Sequence, residues 1–171
     1  MNVQQAVEQD LHASSQDHAA RSVDEATNQY LTFFLAGEEY GVNILRVQEI
    51  KGWTSVTKVP NTDQHVLGVI NLRGTVVPII DLRKRFGLEG IEFGPLTVVI
   101  VLKIQGSREQ TVGIVVDAVS DVYHVAADSI NPPPESCGGI DSNFVSGLVT
   151  MEDKMVILLD LDELMGRGDS E

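Results

Sequence analysis

Cysteine is almost absent from this chain of 171 residues, with Cys137 the single example. That excludes an internal disulfide framework and any zinc site built from several thiolates. Aromatic residues make up only 5%. Bases are scarce too: 12 Lys and Arg stand against 25 Asp and Glu, a formal net charge of −13. A chain this acidic repels phosphate backbones and offers few stacking rings, so a nucleic-acid-binding barrel is disfavoured and no nucleic-acid partner is expected. Long hydrophobic runs are missing. Stretches such as 98–102 fall far short of the roughly 20 apolar residues that cross a bilayer. No basic start followed by an apolar run marks a signal peptide. The expectation is a soluble cytoplasmic protein with no direct membrane insertion.

What the chain does contain is unevenly placed. Hydrophobic residues reach 43%, enough for a core without disulfides, in one domain or two very small ones. Residues 1–28 are polar, carry five acids and one base, and bury too little to offset their ordering entropy. A disordered tail is expected there, with folding from about residue 29. Segment 30–87 has seven bases and five acids, whereas 88–171 has four bases and fifteen acids. Most of the negative charge therefore falls in the second half.

The folded part reads as mostly strand. Hairpins are expected at 30–42 around Gly37-Glu38-Glu39, at 66–82 around Arg73-Gly74, at 96–116 around 106–109, and at 144–160 around 151–153. Asn43 is placed to cap a short helical turn carrying Ile44, Val47 and Ile50. Short helical turns are also expected at 82–86, closed by Gly87, and at 162–165. Runs such as Val98-Val99-Ile100-Val101-Leu102 do not alternate, which implies burial on both strand faces.

An internal repeat accounts for that double burial. Gly68, Asp81, Leu82 and Gly87 match Gly147, Asp160, Leu161 and Gly166, each pair 79 positions apart. Upstream, Gly41-Val42 match Gly113-Ile114, Val47 matches Val119 and Pro60 matches Pro132, 72 positions apart. The length difference is assigned to the loop-like stretch from Pro132 to Gly139. A repeat of this length predicts two similar small barrels, one near 29–87 and one near 96–166, packed so that each covers the other's apolar strands.

Catalytic signatures are missing. The chain has no phosphate-cradling glycine loop, no His-rich ligand spacing and no nucleophile elbow, so no metal and no cofactor are expected. His65 and His124 read as solvated, and Cys137 as an ordinary loop cysteine. An enzyme would have to use Cys137 or the repeat-related Asp81 and Asp160. Their placement points instead to capping of the turn that follows each one.

Surface recognition remains. Arg73 lies in the tight turn Asn71-Leu72-Arg73-Gly74, and its repeat mate is Glu152. A turn arginine is by default solvated. A turn nevertheless displays its side chain rigidly, and arginine is favoured at interface hot spots. Val47 is either core or a contact, and Glu49 is either solvated or an ion-pair partner. Pro78, inside an apolar run, marks an edge or a bulge.

Taken together, Glu38-Glu39-Tyr40-Gly41-Val42, Val47-Gln48-Glu49-Ile50, Gly68-Val69-Ile70-Asn71-Leu72-Arg73-Gly74, Pro78-Ile79-Ile80-Asp81-Leu82-Arg83 and the 112–122 segment closely resemble the CheW family of bacterial chemotaxis coupling proteins. The resemblance spans about 29–166. It implies two five-stranded SH3-like barrels, mostly β, intertwined and packed together with short helices. It also implies a non-enzymatic adaptor that couples chemoreceptor cytoplasmic tips to the regulatory domain of the histidine kinase CheA, recruited to membrane receptor arrays. The same fold occurs inside that kinase and, fused to a receiver, in CheV. With 171 residues the stand-alone coupler is the expected member. A coupler of a pilus-type chemosensory pathway is the alternative. By position the resemblance places Arg73, Glu49 and Val47 at partner contacts, with Asn71, Leu72 and Gly74 in the same turn. It also implies a hydrophobic groove between the barrels, whose floor is assigned to Val76 and Val112. Trp53 and the acidic tail depart from the family pattern.

Overall fold

The computed structural model describes residues 29–105, 108–135 and 140–166. The expected tail, 1–28, and Cys137 lie outside the described residues. Ten strands occur in chain order: β1 (Gln29–Leu35), β2 (Glu38–Asn43), β3 (Val47–Gly52), β4 (Val66–Leu72), β5 (Thr75–Asp81), β6 (Val98–Gln105), β7 (Glu109–Val116), β8 (Ala118–His124), β9 (Val145–Met151) and β10 (Lys154–Leu159). A short helix α1 (Leu82–Arg85) follows β5, and α2 (Leu161–Gly166) follows β10. The strands form two five-stranded sheets, β8-β1-β2-β10-β9 and β3-β6-β7-β5-β4.

Three hairpins share one turn chemistry. Ala36-Gly37, Arg73-Gly74 and Glu152-Asp153 all have positive φ at both central positions. That is the two-residue turn whose twist matches right-handed strands. The first break is therefore shorter than the sequence implied: Glu38 and Glu39 belong to β2. The expected helical turn also shrinks. Only Ile44–Arg46 forms a 3-10 turn, with Asn43 Oδ1 accepting the Leu45 N–H at 2.9 Å. Val47 to Gly52 is strand with alternating burial, and Ile50 is exposed.

The two repeats are interlocked rather than side by side. The β1–β2 hairpin joins a sheet otherwise made of β8, β9 and β10, while β6 and β7 join β3, β4 and β5. Each exchange is sealed by a parallel contact. Leu158 faces Gly41 where β10 meets β2, and Ile79 faces Gly113 where β5 meets β7. These are repeat-equivalent pairs. A Cβ on Gly41 would stand 3.0 Å from Leu158 Cδ2, and one on Gly113 2.6 Å from Ile79 Cδ1. Glycine at both places lets the large aliphatic side chain cross the seam.

Burial on both faces follows from this exchange. One face of each sheet points into its own barrel: Val77, Ile79, Val99, Val101 and Val115 in one, and Val125, Val149, Val156 and Leu158 in the other. The opposite faces meet in a third, larger cluster that includes Leu31, Phe33, Ile100, Leu102, Ile114 and Leu159. Phe33, Tyr40, Phe86 and Phe144 run through it as a chain of ring contacts with centroids 5.6–6.3 Å apart. Outside this shared core, Trp53 packs edge-on against Phe93 at 4.5 Å.

One repeat match needs correcting. Thr57 bridges Val69, and Asn131 makes the corresponding bridge to Leu148. Thr57 and Asn131 are therefore mates, and Pro60 and Pro132 are not. The extra residues of the second copy fall on both sides of this bridge.

The two aspartates do cap. Asp81 Oδ1 accepts the Arg83 N–H at 3.1 Å, and Asp160 Oδ1 accepts the Glu163 N–H at 3.2 Å. Asp81→Ala is expected to lose about 1 kcal/mol, read as a shift in the chemical denaturation midpoint.

Candidate functional site

The β4–β5 turn is built to hold Arg73 outward. Leu72 pairs with Thr75 across it, and Arg73 and Gly74 take φ of 52° and 85°. Asn71 Oδ1 accepts the Gly74 N–H at 2.9 Å and locks the turn from within. The Arg73 side chain is 82% exposed. Its repeat mate Glu152 has nearly the same φ, 50°. The backbone is thus repeated and the charge is not.

Glu49 faces Arg73 from β3. The Arg73 Nη2 to Glu49 Oε2 distance is 3.6 Å, so the pair is loose, with Arg73 exposed and Glu49 half-buried, and it contributes little to stability. A β-bulge between Val47 and Glu49 offsets the strand at this point. Leu45, Val47, Gln48, Leu72 and Lys103 complete a shallow groove around the pair. Val47 is half-buried, packing on the shared core while also lining the groove. Glu49 is an ion-pair partner. Arg73, Glu49, Val47, Asn71, Leu72 and Gly74 are therefore neighbours.

The two residues assigned to the groove floor differ in exposure. Val76 is 63% exposed on β5, on the strand face opposite Val77 and Ile79. Val112 is 3% exposed and belongs to the core between the sheets. The apolar alternation of β7 turns Val112 inward with Ile114 and Val116, so it has no surface to offer a partner.

Two ion-pair clasps across the repeats went unread in the sequence. Arg83 on α1 holds Asp117, between β7 and β8, through Nε at 2.9 Å and Nη2 at 2.5 Å. Asp117 Oδ2 also accepts the Ala36 N–H at 2.9 Å. Burial pushes the Asp117 carboxyl up, but the Arg83 hydrogen bond, the Ala36 N–H and the Arg83 charge together outweigh it and hold it below its ordinary value. The second clasp reverses the charges. Asp162 on α2 takes Arg46 at 3.0 Å and accepts the Gln105 N–H at 3.1 Å. The repeat offsets were the available signal, since Arg83 maps onto Asp162, and Arg46 falls one position from Asp117.

Asp81 and Asp160, the pair named in the enzyme alternative, each accept a backbone N–H in a cap. His65 is half-buried rather than solvated, and burial, then the Arg85 charge, lower its pKa against an opposing effect of Asp63. Among the described residues no group of three or more His, Cys, Asp or Glu is placed to hold a metal ion. Among them, too, no helix is long and apolar enough to cross a membrane.

A family model described as CheW-like domain matches residues 29–168. The chain is 44% identical over 137 residues to the chemotaxis protein CheW of Klebsiella aerogenes, covering 80% of this chain and 81% of that protein. It is 36% identical over 154 residues to a probable chemotaxis protein CheW of Rhizobium etli, covering 90% and 97%. The crystal structure of the scaffolding protein TtCheW from Thermoanaerobacter tengcongensis superposes with a TM-score of 0.74 at 39% identity, covering 81% of this chain and 87% of that one. Two interlocked five-stranded sheets are thus the fold that this chain shares with a scaffolding protein. The chain belongs to the CheW-like family and is a coupling adaptor of chemotaxis signalling.

Proposed function

We propose that the protein bridges the cytoplasmic tips of chemoreceptors to the regulatory domain of the histidine kinase CheA, and that it performs no chemistry of its own. The observation that carries this reading is the rim of the second sheet. Arg73 is held outward by a fixed turn, loosely paired to Glu49, beside Leu45, Val47 and Leu72. A charged anchor next to apolar contacts is the composition of an interface hot spot. Asn71 and Gly74 set the turn, and exposed Val76 extends the apolar border.

In this reading the coupling unit is 29–166, and the acidic segment before it lies outside the contact. The protein works in the cytoplasm and is drawn to membrane receptor arrays by its partners. Several weak contacts then act together in the array, so small receptor shifts bias the kinase.

Calorimetry tests the reading. The protein is titrated into the kinase regulatory domain and into a soluble receptor tip. Arg73→Glu is expected to weaken one of these contacts about 30-fold, roughly 2 kcal/mol. Arg73→Gly removes the charge while suiting the positive φ, so it separates lost recognition from a damaged turn. No binding of the wild type to either partner would sink the proposal.

A further inference from the structure

The groove around Arg73 draws on three pieces of chain. Leu45, Val47 and Glu49 come from the segment entering β3, Leu72 and Arg73 from the β4–β5 turn, and Lys103 from β6. Its shape depends on how the first piece lies against the third. Backbone pairing does not fix that. The β3–β6 ladder ends at Val47 opposite Leu102, so Leu45 and Arg46 on one side and Lys103 to Gln105 on the other lie beyond it.

Side chains carry the connection across this gap. Arg46 Nη1 donates to the Lys103 carbonyl oxygen at 3.4 Å. The same guanidinium grips Asp162 through both nitrogens, Nη1 to Oδ1 at 3.3 Å and Nη2 to Oδ2 at 3.0 Å. Asp162 Oδ1 also accepts the Gln105 N–H at 3.1 Å. One carboxylate from the second repeat therefore holds both pieces of the first repeat's groove. Its own position is fixed, because α2 is anchored by the buried Leu164, whose carbonyl oxygen accepts from Arg85 Nε at 3.2 Å and Nη2 at 2.9 Å. A two-pronged grip of this kind sets geometry as well as energy. The Arg46 and Asp162 side chains are 24% and 40% exposed, so the pair adds little stability.

We propose that Asp162 is a positioning residue for the Arg73 groove. It touches no partner. From the opposite barrel it sets how the Leu45–Val47 segment lies against β6, and so the shape that a partner must fit. The role rests on the Arg73 rim being a docking surface. It makes α2 of one barrel a determinant of recognition by the other.

The first arm of the test needs no partner. Amide hydrogen exchange is followed by NMR on the full chain. Asp162→Ala is expected to speed exchange at Arg46, Val47 and Gln105 about tenfold and to leave Ile100 unchanged, the pattern of a local opening. The second arm is calorimetry against the kinase regulatory domain and a soluble receptor tip. Asp162→Ala should weaken the contact that Arg73→Glu weakens, by about fivefold. Asp162→Glu keeps a carboxylate for Arg46 and should restore most of the loss. The control is Asp117→Asn, in the clasp at the other end of the β1–β2 hairpin, beside Ala36. It should lower the melting temperature and leave affinity as in the wild type, which separates positioning from general stability. If Asp162→Ala does not fold, Asp162→Asn carries the test, since it keeps an acceptor for Gln105 and loses the charge that holds Arg46. Unchanged exchange at the groove overturns the proposal whether or not a partner binds, and so does altered exchange with wild-type affinity. Equal affinity losses in Asp162→Ala and Asp117→Asn overturn it as well. Failure of the wild type to bind either partner is a different result: it removes the docking surface itself, and the positioning role with it, before any variant is compared.

Discussion

Gly68→Ala is expected to cost about 3–5 kcal/mol, the sum of a strained backbone and an overpacked contact. Gly68 sits at φ +154°, immediately after a β-bulge in β4. A Cβ there would lie 2.3 Å from the Thr57 carbonyl oxygen and 2.8 Å from its carbon. Backbone cannot swing aside as a side chain can. The alanine must therefore break the Thr57–Val69 bridge, whose two hydrogen bonds are 2.8 and 2.9 Å long. The repeat supplies an internal control. Gly147 holds the equivalent place, but its nearest obstacle is Ile130 Cγ2, at 2.4 Å, with the Asn131 oxygen at 3.0 Å. A methyl group can rotate away, so Gly147→Ala should cost about half as much. Urea denaturation of the two variants decides the point, and equal losses would refute the distinction between backbone and side-chain obstruction.

The second large effect is expected at the Arg83–Asp117 clasp. Its two side chains are 11% and 23% exposed, so removing one strands the other in a poorly solvated place. Asp117→Ala should cost about 3 kcal/mol, including the lost acceptor for the Ala36 N–H. The reversed clasp at Arg46–Asp162 shows that the same framework accepts the opposite polarity. The double exchange Arg83→Asp with Asp117→Arg should therefore recover most of what either reversal loses. A double-mutant cycle measures this, and a coupling near zero would mean the clasp adds nothing.

The clasp also fixes a pH dependence. Asp117 has a folded pKa below its unfolded value of about 3.8. Its contribution is thus fully present above that value and is lost as pH falls through the folded pKa. The stability gap between wild type and Asp117→Asn should be wide at pH 7 and narrow as the solution is acidified below about 4.

The candidate site was readable in the sequence where local rules govern it. Arg73-Gly74 between apolar runs is a two-residue hairpin by composition alone, and the Asn71 side chain that locks it is three residues away. Glu49 was visible only as one of two options. Its contact with Arg73 joins strands at opposite edges of one sheet, which no nearby periodicity encodes. Val112 misled because an apolar residue in a strand looks the same whether it lines a groove or fills a core.

The sequence by itself determined the strand content, the doubly buried runs, the repeat and the two capping aspartates, because each depends on residues close together or on a fixed offset. It missed β3 and β8 as strands, since neither is apolar enough to announce itself, and both are held by pairing with β6 and β1. Only the tertiary structure decided that the repeats exchange hairpins, that opposite clasps join them, and that Glu39 lies buried without a hydrogen-bond partner for its Oε1. The physical reason is common to all three. They arise from contacts between residues far apart in sequence, and such contacts follow from which faces can be buried together once both copies fold as one core.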